Sequence, residues 1–154
     1  MPIGIGDRLP AFSLPTDGGG TLSSDDLRGQ KAVLYFYPKD DTSGCTKEAQ
    51  AFRDSLADFA AAGTAVVGVS VDGVASHDRF KAKYQLNFPL VSDAGRSLAE
   101  ACGVWVQKSM YGRTYMGMER ATLLIDGEGV VRRIWRKVKV TGHVAEVLAA
   151  AQAL

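Results

Sequence analysis

The sequence predicts an α/β fold in which a mixed sheet carries helices on both faces. Three observations lead there. Short, apolar, β-branched runs alternate with helix-period segments over the first hundred or so residues, which implies crossover helices and parallel strands. A later Asp126-Gly127-Glu128-Gly129 turn joins two more strand-like runs and implies an antiparallel pair. The composition is that of a globular domain with an ample core: 154 residues, 46% hydrophobic, 23% charged. Residues 1–154 read as a single domain, since no repeat, low-complexity tract or linker divides them.

Residues 3–16 form an entry segment in which Leu9, Phe12 and Leu14 are apolar and Pro10 and Pro15 discourage helix. Asp17-Gly18-Gly19-Gly20 is a turn signal before the extended Thr21-Leu22, giving an N-terminal β-hairpin extension. Ser23 or Ser24 caps a single turn through Asp25-Asp26-Leu27, ended by Gly29. Ala32–Tyr37 is a continuous apolar run, short and β-branched, and reads as a strand buried on both faces. From about Cys45 to Ala62, apolar Ala49, Phe52, Leu56, Phe59 and Ala60 recur at helical steps, and Gly63 stops the helix.

Thr64–Val71 is a second buried strand, and a helix follows from Ala75 or Ser76 to Tyr84. Phe88–Val91 is a short third strand, and residues 96–101 a short helix closed by Gly103. Val104–Met118 reads as irregular or extended; Trp105, Met110, Tyr115, Met116 and Met118 either wall a site, form a partner surface or, by preference, pack in the ordinary way. Ala121–Ile125 and Val130–Arg136 are the strands flanking the Asp-Gly-Glu-Gly turn, and a final helix starts at Thr141 or Gly142. A thioredoxin-like three-layer sandwich with a mixed central sheet fits this order. A flavodoxin-like doubly wound sheet is the competitor, and the late hairpin counts against it.

The bulk properties exclude several functions. A net charge of +1 gives no general attraction to nucleic acid or membrane. The basic residues Arg132, Arg133, Arg136, Lys137 and Lys139 interleave with Val131, Ile134, Trp135 and Val138, as on the solvated side of a strand, so no nucleic-acid partner is expected. No run approaches the ~20 apolar residues of a membrane span, and Met1–Asp7 lacks the features of a signal peptide. A cytoplasmic location is the expectation. Two cysteines make neither a disulfide framework nor a zinc site, and His77 and His143 lie at no ligand-like spacing, reading as structural or surface residues.

Chemistry concentrates in Tyr35-Phe36-Tyr37-Pro38-Lys39-Asp40-Asp41-Thr42-Ser43-Gly44-Cys45-Thr46, where a buried strand gives way to a polar loop and a cysteine at a helix start. A thiol there faces unpaired N–H groups and the positive end of the helix dipole, which favour the thiolate. Cys45 is thus either a nucleophile or a small buried residue without chemistry. Pro38 ends the strand; Thr42 is either an N-cap or a ligand-binding hydroxyl. Gly44 permits close backbone approach. Glu48 is either half of a capping box or a solvated first-turn acid. Arg120, read alone, is a solvated surface charge.

The spacing P-x-x-x-T-x-x-C through Pro38, Thr42 and Cys45 resembles the peroxiredoxin active-site motif. The fuller text Y-F-Y-P-K-D-D-T-S-G-C-T-K-E-A-Q is similar to the peroxiredoxin Q subfamily, also called bacterioferritin comigratory proteins. The likeness continues through Gly6-Asp7…Pro10-x-Phe12-x-Leu14-Pro15, Leu27-Arg28-Gly29, Gly68-Val69-Ser70, Phe88–Asp93, Glu119–Thr122 and Trp135–Lys139. It implies a thioredoxin-like fold and a thiol-dependent peroxidase acting on hydrogen peroxide and organic hydroperoxides. Cys45 is then the peroxidatic thiolate, Thr42 holds the peroxide, Arg120 flanks the thiolate and binds peroxide oxygens, and Pro38 shields the pocket. Cys45 passes through a sulfenic acid that a second thiol must resolve. The resemblance implies no metal, haem or flavin, and a monomer rather than a dimer.

Two departures stand out. Many members carry the resolving cysteine five residues after the first, where this chain has Gln50; others place it in the next helix, and residues 75–84 contain none. Ser43 also replaces the usual proline before Gly44. Only Cys102 remains, either as a resolving thiol or, by preference, as a small core residue where relatives commonly carry tyrosine. The leading expectation is therefore a one-cysteine cycle, resolved by an external thiol such as thioredoxin, glutaredoxin or a low-molecular-weight thiol; a two-cysteine cycle through Cys102 is the alternative. A thiol–disulfide oxidoreductase is disfavoured because Glu48 occupies the second position of a Cys-x-x-Cys pair. A redox-responsive chaperone or binding module is the non-enzymatic rival.

Overall fold

The computed structural model describes residues 3–154; Met1 and Pro2, part of the opening stretch read above, lie outside them. Strands β1 (Ser13–Pro15) and β2 (Thr21–Ser23) pair antiparallel around Leu14 and Leu22, as the turn signal predicts. Ser23 then caps a 3-10 turn over Ser24–Leu27, sharing a reciprocal capping box with Asp26. The central elements follow in order: β3 (Lys31–Phe36), α1 (Ser43–Ala61), β4 (Thr64–Ser70), α2 (Val74–Tyr84), β5 (Leu90–Ser92) and α3 (Ser97–Ala101). Strands β6 (Trp105–Met110), β7 (Arg113–Met118), β8 (Ala121–Ile125) and β9 (Val131–Trp135) come next, and α4 (His143–Ala153) ends the chain.

The main sheet has the strand order β5-β4-β3-β8-β9. The pairs β3–β4 and β4–β5 are parallel, and β3–β8 and β8–β9 antiparallel, which is the mixed sheet expected. Alternation along β3 divides the core in two. Val33, Tyr35 and Tyr37 pack on one face with Phe52 and Phe59 of α1, Phe80 of α2 and Val144 and Val147 of α4. Ala32, Leu34 and Phe36 pack on the other with Leu98 and Ala99 of α3, Leu9 and Leu27. Two crossovers, β3-α1-β4 and β4-α2-β5, set α1 and α2 on the same face.

One stretch differs in kind. Residues 105–118 form an antiparallel hairpin outside the main sheet, with Lys108 opposite Tyr115. Met110, Tyr115 and Met116 do not pack as expected but stand exposed on it, beside Tyr111, while Met118 is buried and Trp105 half-buried. Boundaries elsewhere shift by a residue or two, the usual spread at element ends.

Tyr35 lies flat across β4, and its ring stacks on Phe52 at 4.5 Å and Tyr37 at 5.4 Å. A side chain at Gly68 would meet the Tyr35 ring carbon Cζ, its hydroxyl and Leu90 Cδ2, each at 3.0 Å. Neither neighbour can yield, since both are wholly buried. Gly68→Ala is expected to destabilise the protein by about 1–3 kcal/mol, the cost of overpacking a tight core, measured by urea unfolding; an unchanged midpoint would show that this layer relaxes freely.

Candidate active site

Helix α1 starts at Ser43, two residues earlier than its apolar period suggests, because Thr42 takes the N-cap position with extended backbone. Its first intrahelical bond runs from the Thr46 amide to the Thr42 carbonyl at 2.8 Å. The amides of Ser43, Gly44 and Cys45 therefore lie within the turn that lacks intrahelical partners. Ser43 occupies the first helical position, where the proline common in relatives would also sit well. Thr42 does not cap with its side chain. Its hydroxyl donates to the Lys39 carbonyl at 2.9 Å, leaving the oxygen free to accept.

Cys45 is buried, 1% exposed. The Arg120 guanidinium reaches it from the residue just before β8: Nη2 donates to Cys45 Sγ at 3.4 Å, and Nη1 to Glu48 Oε1 at 2.8 Å. Register explains the meeting. Ala121 pairs with Phe36, so Arg120 emerges beside the end of β3, where the loop toward Cys45 begins. Gly44 makes the approach possible, because a Cβ there would meet Arg120 Nη2 at 3.1 Å. Burial opposes the charge on Arg120, but Cys45 and Glu48 outweigh it and hold its pKa above the ordinary value. Pro38 stands half-buried at the exit of β3.

Glu48 is neither a capping box nor a solvated acid. It is wholly buried, with Oε1 on Arg120 and Oε2 without a hydrogen-bond partner among the described residues. The signal was in the helix period: Glu48 falls on the buried stripe of Cys45, Ala49, Phe52 and Phe59. Burial pushes its pKa up from 4.5 to about 7, against the pull of the Arg120 charge and hydrogen bond. The site thus sets a thiol against a fixed cation, and the cation against a buried carboxylate. Such an arrangement presents directional donors beside the sulfur.

Cys102 lies elsewhere. It is wholly buried in the α3 cluster, across the main sheet from Cys45, and both cysteines are free thiols. Burial, with a contribution from Asp93, pushes its pKa up to about 12. His77, read as an isolated structural or surface residue, is buried and paired with Asp40 of the Pro38–Thr42 segment.

A buried thiol held by an arginine at a helix start, on this mixed sheet, defines a thiol-dependent oxidoreductase of thioredoxin-like fold. Comparison with known proteins narrows the class. Residues 5–134 match the AhpC/TSA family. Peroxiredoxin Bcp of Bacillus subtilis is 49% identical over 148 residues, covering 96% of this chain and 94% of that protein. Peroxiredoxin Q of Xanthomonas campestris superposes with a TM-score of 0.89 at 46% identity, covering 92% of this chain and 90% of that one. A mutant PrxQ structure from Xylella fastidiosa superposes with a TM-score of 0.93 at 41% identity, covering 98% and 96%. The chain belongs to the AhpC/TSA family and, within it, to the peroxiredoxins of the Q (Bcp) branch, which makes it a thiol-dependent peroxidase.

The Glu48 shift has a direct consequence for stability. Its folded pKa is raised, so the fold holds this proton more tightly than the unfolded chain does. The contribution is complete below pH 4.5 and is lost as pH rises through about 7. Between these limits the wild type is expected to lose on the order of 3 kcal/mol relative to Glu48→Gln, at 1.36 kcal/mol per pKa unit. Denaturant unfolding of both proteins at the two ends of the window tests this; parallel curves would contradict the shift.

Proposed function

We propose that this chain reduces hydrogen peroxide and small organic hydroperoxides at Cys45 in a one-cysteine cycle completed by an external thiol. The observation that carries the reading is the single guanidinium shared between Cys45 Sγ and Glu48. Arg120 donates to the sulfur and, being anchored on Glu48, directs its remaining N–H groups at the bound peroxide. Thr42 accepts a hydrogen bond from the peroxide hydroxyl, since its own proton is engaged by Lys39. Pro38 limits the loop side of the pocket.

The thiolate attacks the nearer peroxide oxygen. An S–O bond forms as the O–O bond breaks, the hydroxyl stays on sulfur, and the leaving oxygen takes a proton from solvent to depart as water or alcohol. Negative charge developing on that oxygen is met by Arg120 and by the free amides of Gly44 and Cys45. Cys45 is left as a sulfenic acid. An incoming thiol condenses with it, releasing water and forming a mixed disulfide that a second thiol reduces.

Three features support resolution from outside. Gln50 stands where a nearby resolving thiol would be. The main sheet separates Cys102 from Cys45. Cys102 also holds its proton far above neutral pH, which leaves little thiolate to attack. Support for organic hydroperoxides comes from the alkyl peroxide reduction activity of the Xanthomonas campestris bacterioferritin comigratory protein, 46% identical to this chain.

With a thiol reductant supplied, wild-type protein is expected to consume peroxide and Cys45→Ser to show only background. After one equivalent of peroxide, peptide mass spectrometry should find one added oxygen or an external thiol on Cys45, with Cys102 still a free thiol. An abundant Cys45–Cys102 disulfide would overturn the one-cysteine cycle, and equal consumption by Cys45→Ser would overturn the site.

A further inference from the structure

Behind the loop that leads to Cys45 lies a buried polar cluster that the proposed cycle leaves unused. Its centre is His77, in the first turn of α2 and wholly buried. Its Nε2 lies 2.9 Å from the Val91 carbonyl oxygen, and its Nδ1 lies 2.6 Å from Asp40 Oδ2. A carbonyl oxygen only accepts, so Nε2 carries a hydrogen. The Asp40 carboxyl already receives the Tyr37 hydroxyl on Oδ1 at 2.6 Å and the Ser76 hydroxyl on Oδ2 at 2.8 Å. Donors on both oxygens favour the carboxylate, which only accepts, so Nδ1 carries a hydrogen as well. A ring protonated on both nitrogens is an imidazolium.

The partner residue connects this charge to the site. Asp40 lies between Pro38 and Thr42, and its amide donates to Asp72 Oδ2 at 2.8 Å, an oxygen that also receives the Ser70 hydroxyl at 2.7 Å. The next residue, Asp41, takes a left-handed φ of 59°, which is uncommon outside glycine. Its carboxylate is held by Lys83 Nζ at 2.8 Å and by the Tyr84 hydroxyl at 2.6 Å. Two consecutive loop residues are therefore docked on one helix, Asp40 at its first turn and Asp41 at its last. The Asp41 contacts are exposed and screened, whereas the Asp40–His77 contact is sealed from water, with exposures of 3% and 0%.

We propose that His77, held as an imidazolium, is the positioning residue of the Cys45 loop, fixing the Pro38–Thr42 backbone through Asp40 and so aiming the first turn of α1. It touches no reacting atom. Its functional consequence rests on the peroxidase reading above, whereas its charge state does not. The titratable groups facing the ring are Asp40 from the loop, Tyr37 from the end of β3 and Asp72 from the turn before α2. Burial opposes the charge, but the hydrogen bond and charge of Asp40, with the Val91 carbonyl and Asp72, outweigh it and hold the ring's pKa above 6.5. The ring's contribution to stability is complete below pH 6.5 and is lost as pH rises through the higher folded value, so the loop loosens on the alkaline side.

The chain contains an internal reference. His143, the second of its two histidines, is also buried, but burial holds its pKa below 6.5. Nitrogen-15 NMR of the imidazole rings in wild-type protein at pH 6.5, the ordinary histidine midpoint, is expected to show His77 predominantly protonated on both nitrogens and His143 predominantly neutral. A neutral His77 there would overturn the proposal. In parallel, single-turnover oxidation of Cys45 by hydrogen peroxide is measured in His77→Gln, Asp40→Asn and the double variant. Each single change is expected to slow the reaction about 10- to 100-fold, as a small misplacement of a reacting group does, and the double variant to be no slower than the worse single. Wild-type rates in His77→Gln, or losses that multiply in the double variant, would also overturn it. The NMR measurement needs no variant to fold. Failure of the peroxidase reading is separately visible, as wild-type protein reacting no faster than Cys45→Ser.

Discussion

The site depends on one guanidinium making two contacts. Arg120 donates to Cys45 Sγ and to Glu48 Oε1 from adjacent nitrogens, so the carboxylate fixes where the cation sits against the sulfur. This requires a register, a gap and a helix face to coincide. The Phe36–Ala121 pairing delivers Arg120 to the end of β3. Gly44 leaves the space that Arg120 Nη2 enters. The helical period puts Glu48 one turn after Cys45 on the same buried stripe. A one-residue slip between β3 and β8 would turn the β8 side chains to the opposite face and dismantle the core that holds this corner.

Buried charge recurs as the means of holding geometry here. The Glu48–Arg120 and Asp40–His77 pairs both occupy helix faces that are otherwise apolar. Burying such pairs gains little net stability, but losing one partner leaves the other stranded at a cost of about 3–5 kcal/mol. The first turn of α1 and the loop before it each carry one such pair. The rest of the fold is held by ordinary apolar packing on both faces of the sheet.

Much of this was legible in the sequence, for physical reasons. Continuous runs such as Ala32–Tyr37 and Thr64–Ser70 mark strands buried on both faces, and Asp126–Gly129 marks the late hairpin. The β6–β7 hairpin was not legible, because it lies outside the main sheet and most of its side chains are exposed or half-buried, leaving no alternating stripe to read. The resemblance is what names Cys45, Thr42 and Arg120 as site residues; position alone singles out Cys45 and leaves Arg120 as a surface charge, whereas the structure sets Arg120 against the Cys45 sulfur. Glu48 and His77 escaped for a common reason: a charged or titratable residue in a helix is ordinarily solvated. Their places on the apolar faces, beside Phe52 and Phe80, were the overlooked signals. The Thr42 hydroxyl, engaged by Lys39, follows from loop geometry that spacing does not encode.

On the proposed reading, directional donation by Arg120, and not merely its charge, supports the reaction at Cys45. The most direct measurement is the single-turnover rate of Cys45 with hydrogen peroxide in Arg120→Lys, which keeps a cation but removes the fork that spans Sγ and Glu48. The rate is expected to fall about 10- to 100-fold, matching the loss of one charge-assisted hydrogen bond of about 1.5–3 kcal/mol. A rate equal to that of the wild type would contradict the account.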